Sequence, residues 1–220
     1  MTGHGTGDGS PGSAPGRLIS VVDAVCCVYF CAAGKYALLV SILTELGMEI
    51  LIPEEVEREV LRKRVGQVQA QWPRLRACSR VRILDALTVT DRRLDVVATV
   101  VRLRGMSAQL ALSASRDLGE AVVVGHAKVL ADAGHEVYVV IDDQGGQALA
   151  SSEGLDVLAV EDLLMAGLQL GILAAERLRK TYEDLIPFGS GLPTWEASRM
   201  KQLYNEWRQS QKQHGADSSR

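Results

Sequence analysis

Short apolar runs, each closed by an acid or a turn, alternate along this chain with longer amphipathic stretches. Arg17–Asp23 reads RLISVVD, a β-branched run ending in a carboxylate, and Glu49–Ile52 (EILI), Val81–Leu84, Glu136–Ile141 (EVYVVI) and Leu155–Val160 (LDVLAV) repeat the pattern. Runs of this length and composition predict buried strands. Between them, Ala24–Leu46 is rich in Ala, Leu and Val and predicts one or two helices punctuated by Gly34 and Gly47. Pro53 opens a helix, PEEVEREVLRKR, with Glu54 and Glu55 at its positive N-terminal end and Arg62–Arg64 at the other. Helices are also predicted over Asp91–Leu103, from Asp117 to Ala133, and over Gln147–Ser152, Glu161–Leu170, Leu173–Leu185 and Thr194–Gln211. Strands that alternate with helices give an α/β fold class: a parallel sheet covered on both sides.

The composition agrees with that reading. The chain has 220 residues, 47% apolar and 23% charged, which is enough to bury one core with additions or two small ones. It excludes a disordered polymer, a collagen-like fibre and a strongly basic nucleic-acid coat. Residues 1–16 hold six glycines and two prolines and predict a disordered tail, and residues 213–220 form a polar one. The longest membrane candidate, Leu18–Ile42, is interrupted by Asp23, Gly34 and Lys35, so no membrane span is expected. The start of the chain lacks the basic opening and apolar run of a secretory signal. Four cysteines, three of them at Cys26, Cys27 and Cys31, make no disulfide framework and read as small core residues of a protein in reducing cytosol. His126 and His135 share no metal-binding spacing and are expected at the surface or partly buried.

Near-neutrality hides a segregation of charge. The formal net charge is −3, yet Arg58–Arg104 carries twelve basic residues against four acids, a net +8. Glu120–Asp162 carries nine acids against Lys128 alone, a net −8. One reading is a basic rim for a polyanion beside an acidic site for cations; the other is two solvated faces of opposite sign.

The acids fall at particular places. Asp23 follows the first strand, Asp142 and Asp143 follow EVYVVI, Glu120 lies in the first turn of a helix, and Glu59 lies one and a half turns into another. Ligands of an open parallel sheet bind outside the carboxyl ends of its strands, so these side chains can converge on one edge. Converging carboxylates resist ionisation unless a cation offsets them, and hard oxygen donors suit Mg²⁺ or Mn²⁺. Each acid also has a structural explanation: Asp23 and Asp142 as N-caps, Asp117 with Glu120 as a capping box, and Glu59 paired with Lys63.

The order of these motifs resembles that of the PIN-domain nucleases, and among them the virulence-associated protein C-like toxins of toxin–antitoxin pairs. The resemblance rests on SVVDA, EILIPEEVEREV, DLGEAVVVGHAKVLA, VYVVIDDQGGQALASSEGLDVL and LAVEDLLMAGLQLGIL, and spans Ile19–Leu173. It implies a Rossmann-like three-layer, PIN-like nuclease domain over residues 17–172, with a C-terminal helical extension over residues 173–212. It implies a cytoplasmic, metal-dependent ribonuclease that uses Mg²⁺ or Mn²⁺, with RNA as substrate and an antitoxin protein as partner. Carried over by motif, Asp23, Glu59, Glu120 and Asp142 or Asp143 are the metal ligands, and Asp23, Glu120 and Asp142 the catalytic set. Gln144, Gly145, Gly146 and Gln147 stand where relatives usually place Arg or Lys after the double acid.

Three features fill out the picture. Arg58, Arg62, Arg64, Arg74 and Arg76 are candidates for holding the RNA backbone. Trp72, amid arginines, reads as a core or loop residue, with stacking on an RNA base as the other reading. In the last helix Trp195, Met200, Leu203, Tyr204 and Trp207 form one apolar face, which packs on the domain or docks an antitoxin or a second copy in a homodimer. A catalytically silent PIN-like module that binds RNA or a protein partner is the alternative to the enzyme.

Overall fold

The computed structural model describes residues 16–90, 92–114, 117–188 and 191–217, with side chains as far as residue 213. Most of the expected N-terminal tail, the end of the polar tail and Asp91 lie outside these residues.

Five parallel strands form one sheet in the order β3-β2-β1-β4-β5. They are β1 (Leu18–Val22), β2 (Glu49–Pro53), β3 (Val81–Leu84), β4 (Glu136–Val140) and β5 (Asp156–Leu158). β1 pairs with β2 through Ile19–Glu49 and with β4 through Ile19–Val137. Four of the five β1 residues are fully buried, as expected for a central strand covered on both faces. The expected strand runs all appear: three are trimmed by a residue or more, Val81–Leu84 keeps its bounds, and Glu49–Ile52 extends to Pro53.

The chain moves outward from β1 to β3, then jumps back to β4. Helices α1 (Ala24–Ala32), α2 (Tyr36–Glu45), α3 (Glu54–Arg62) and α4 (Val68–Arg76) fill the outward crossovers. Helices α5 (Leu94–Arg104), α6 (Ala108–Ser113) and α7 (Leu118–Asp132) fill the return. Right-handed crossovers put the two sets on opposite faces, which gives three layers. α8 (Gln144–Ser152) follows β4, and α9 (Val160–Gln169), α10 (Ala175–Leu185) and α11 (Arg199–Asp217) follow β5. Leu173, Leu178, Tyr182, Leu185, Trp195 and Met200 from the last segment belong to the same buried cluster as the strands.

Two helices were not expected. α4 carries Pro73 inside it, yet it buries Val68, Gln71, Trp72 and Leu75, an i, i+3, i+4, i+7 face. Trp72 is 1% exposed and its indole N–H donates to Glu57 Oε1 at 3.1 Å, so it cannot stack on a base. α6 is a single short turn under Arg104, whose guanidinium donates to the carbonyls of Ala111 and Ala114 at 2.7 and 2.9 Å. His126 is 5% exposed, deeper than its polarity implied. The three clustered cysteines are buried thiols. Among the described residues no helix is long and apolar enough to cross a membrane.

α5 and α7 build a second, smaller core from Leu87, Val96, Val97, Val100, Ala121 and Val122. Their close approach depends on Gly125, where an added Cβ would stand 2.8 Å from Val100 Cγ2. Val100 is fully buried and stiff at χ1, so it has nowhere to go. Gly125→Ala should therefore lower stability by about 1 kcal/mol, because overpacking outweighs alanine's better helix propensity. A urea midpoint at or above that of the natural chain would contradict this packing.

Candidate functional site

The return from β3 to β4 makes β1 and β4 neighbours, and the carboxyl ends of such strands are where an open sheet leaves a crevice. Asp23 stands there. Its backbone N–H donates to Val140 O at 2.9 Å, and its Oδ2 caps α1 by accepting from Val25 N at 3.0 Å. The residue is 2% exposed. Burial pushes its carboxyl up to about 6, with Glu59 and Asp143 adding to the shift and the cap opposing it.

Glu59 reaches the same place from α3, and α7 meets both at Gly119. A Cβ added at Gly119 would lie 3.1 Å from Glu59 Oε2 and 4.0 Å from Asp23 Oδ1. The missing side chain thus leaves a cradle between two carboxylates. Glu120 follows in the first turn of α7. Burial first, then the charges of Asp143 and Asp23, push it up to about 7. No hydrogen bond or ion pair joins Glu59 or Glu120 to another described residue, so the expected Glu59–Lys63 pair does not form. A depression of about 470 Å³ is lined by Asp23, Glu59, Glu120 and Asp117 together with Arg62 and Lys63.

The double acid divides. Asp143 is exposed, caps α8 by accepting from Gly146 N at 3.0 Å, and acts electrostatically on both Asp23 and Glu120. Gly146 lets α8 come close, since a Cβ there would overlap Ile141 and stand 3.5 Å from Glu120 Cγ. Asp142 turns the other way: its Oδ1 accepts from Val160 N, at the start of α9, at 3.1 Å, and burial raises its carboxyl. The structure thus gathers Asp23, Glu59 and Glu120 and sets Asp143 within electrostatic reach of Asp23 and Glu120, while Asp142 and Asp143 both line a neighbouring cleft. Asp117 reads in the sequence as a cap, but it has φ +53° and makes no side-chain cap hydrogen bond. It lines the depression instead. Lys63, legible as a member of the basic run and as a partner for Glu59, lines it as well.

The proposed RNA-holding arginines fare differently from one another. Arg58 is paired with Glu54 at 2.7 Å and Arg76 with Glu57 at 3.0 Å. Arg62 donates to Arg58 O at 3.2 Å and still lines the depression. Arg64 and Arg74 are exposed.

Hard carboxylate oxygens from three separate elements, around a cradle that a methyl group would fill, are a donor set that fits a divalent cation. Among the described residues no group of three or more His, Cys, Asp and Glu side chains stands at the spacing that one ion requires. Like charges hold one another apart, and a cation would have to draw them in. Comparison with protein-family models and with curated proteins returned no match.

The raised carboxyl of Asp23 has a consequence for stability. The folded chain holds a proton there at a pH where the unfolded chain, with an ordinary value of 3.8, has lost it. Folding is therefore unpenalised below about pH 4, and the penalty grows as pH rises through about 6. Asp23→Asn keeps a cap acceptor and removes the charge. It should be more stable than the natural chain at pH 8, by about 1–2 kcal/mol, and no more stable at pH 4. Chemical denaturation at the two pH values checks this, and a loss of stability at pH 8 would refute it.

Proposed function

We propose that this chain is a divalent-metal-dependent endoribonuclease acting through Asp23, Glu59, Glu120 and Asp143. The observation that carries the reading is the convergence at one sheet edge of carboxylates from the end of β1, α3, α7 and the start of α8. A structure selected for stability alone has no use for such a gathering, since burial and mutual repulsion both act against it.

Asp23, Glu59 and Glu120 would hold Mg²⁺ or Mn²⁺, with Asp143 at the rim. When bound, such an ion supplies a water activated for attack on phosphorus and a counter-charge for the departing oxygen. Arg62 and Lys63 bring positive charge to the same depression, where the phosphodiester must be held against the acids. Gly119 keeps the space between Asp23 and Glu59 open. The resemblance to PIN-domain nucleases points the same way, and an antitoxin gene beside its own would make the chain the toxin of such a pair.

A second reading, a silent module of the same architecture that binds RNA or a protein, draws on Gln144–Gln147 standing where relatives carry basic residues. Mn²⁺ titration by calorimetry separates the two. The enzyme should bind Mn²⁺, and Glu120→Gln should weaken binding by about tenfold or more, since affinity follows the count of charged ligands. Asp23→Asn should reduce cleavage of RNA to background. Absence of Mn²⁺ binding to the natural chain, or full cleavage by Asp23→Asn, would overturn the reading.

Gly119→Ala gives an independent check. Alanine suits a first helical turn, so folding stability should change by no more than about 1 kcal/mol. The added methyl group enters the cradle, so Mn²⁺ affinity should fall. Unchanged affinity would show that the cation, if bound, sits elsewhere.

A further inference from the structure

A second cleft, of about 560 Å³, shares Val25 with the acidic depression and is lined by both members of the double acid and by Glu161. Its walls differ in kind. Tyr29, Leu192 and Pro193 make an apolar wall; Asp142, Gln144 and Gln147 make a hydrogen-bonding one. An apolar wall facing a larger set of polar groups can hold a flat, polar-edged small molecule.

The walls are fixed from behind. Pro193 O accepts from Tyr182 OH at 3.0 Å, and Gly191 lies beside the Tyr29 hydroxyl. Arg199 is paired with Asp162, and Met200 N donates to Glu161 Oε1 at 3.1 Å. The polar groups are oriented too. Gln147 Nε2 donates to Ile141 O at 3.1 Å, which leaves its oxygen as an acceptor for a guest. Asp142 Oδ1 is taken by Val160 N, which leaves Oδ2. The cleft is therefore acceptor-rich, and Arg199, the cation among its described lining residues, is already neutralised. Such a lining repels a phosphate and suits a neutral, planar group that presents N–H donors.

We propose that this cleft is a nucleobase subsite that takes the base beside the phosphodiester held at Asp23–Glu120, and that it favours guanine. The proposal rests on the ribonuclease reading. Unstacked RNA bases are recognised by contact with their flat faces and by hydrogen bonds to their Watson–Crick edges. Guanine alone among the four presents two adjacent N–H donors on that edge, which two free acceptors such as Asp142 Oδ2 and the Gln147 side-chain oxygen can take between them, and its flat body matches the apolar wall. The phosphate then lies toward Arg62 and Lys63, and the base lies across Val25 on the acceptor wall.

The test compares binding of GMP, AMP, CMP and UMP to the full chain by calorimetry in the absence of divalent metal. The phosphate is common to all four, so differences report the base. GMP should bind at least about fivefold more tightly than UMP, and Asp142→Asn and Gln147→Ala should each shrink that ratio. Equal affinity for the four, or a ratio unchanged in both variants, would overturn the proposal. Cleavage of a randomised RNA pool distinguishes its failure from that of the ribonuclease reading. Guanine enriched beside the cut in the natural chain and lost in Gln147→Ala supports both. Cleavage without base bias refutes the subsite and leaves the nuclease standing. Binding that discriminates bases with no cleavage of any RNA refutes the nuclease, and with it the phosphodiester that the subsite was placed beside.

Discussion

One buried carboxylate ties the architecture to its chemistry. Asp23 donates its backbone N–H to β4, begins α1 through its side chain, and lies against α3 and α7 through Glu59 and Gly119. An aspartate in such a position is expensive to ionise: burial first, with the charges of Glu59 and Asp143 adding to it, pushes its carboxyl up to about 6. The cap it provides for α1 is available from a serine or asparagine without that cost. A charge kept where a neutral residue would serve the fold better is the kind of local inconsistency that marks functional positions. Glu120, pushed up to about 7 in part by the same aspartate, repeats the inconsistency from a second element.

The segregated charge of the sequence dissolves on folding. Arg102 forms a two-pronged pair with Glu153 at 2.8 and 2.6 Å, joining α5 to α8 across the basic and acidic windows. Arg17 and Arg82 share Glu49 at the far end of the sheet. Glu57 sits between Arg76 and the buried indole of Trp72. These arginines are mortar between layers, and each is worth little as a free field for a polyanion. The positive charge that matters near the acids is local: Arg62 and Lys63 at the end of α3, on the same depression. Net charge over a window of sequence says little about the potential at a site, because neighbours in sequence point to different faces.

What was legible in the sequence is what depends on local pattern. The strand runs are short, rich in apolar β-branched residues and end in a turn or an acid, so the five strands and the class of the fold could be read directly. Asp23 was legible as a strand-end acid, and Glu120 as a first-turn acid. The features missed depend on distances between elements. α4 hides its helical pattern behind two glutamines and a proline, and its packing on α1 decides for core between the core and loop readings of Trp72. Gly119 and Gly146 look like weak points in helices, and their use appears only when Glu59 and Ile141 are seen against them. Asp117 looked like a capping residue because spacing records a position and not a dihedral angle, and φ +53° turns its side chain away from the cap.

The pair Asp142–Asp143 shows how a parallel sheet gives one dipeptide two sets of partners. Successive residues leaving a strand point to opposite sides. At the end of β4 that rule sends Asp143 toward Asp23 and Glu120, and Asp142 toward α9, where it accepts from Val160 N. The segment after β5 then builds its wall on the Asp142 side, fastened by Arg199 to Asp162 and by Met200 N to Glu161. The last helix begins there, and its aromatic face is used up internally, with Trp195 edge-on to Tyr182 and Tyr204 stacked on Trp207. The C-terminal extension is therefore a part of the same core that also borders the edge where the acids gather. Because both chambers share Val25, a ligand that occupies one can present its far end to the other.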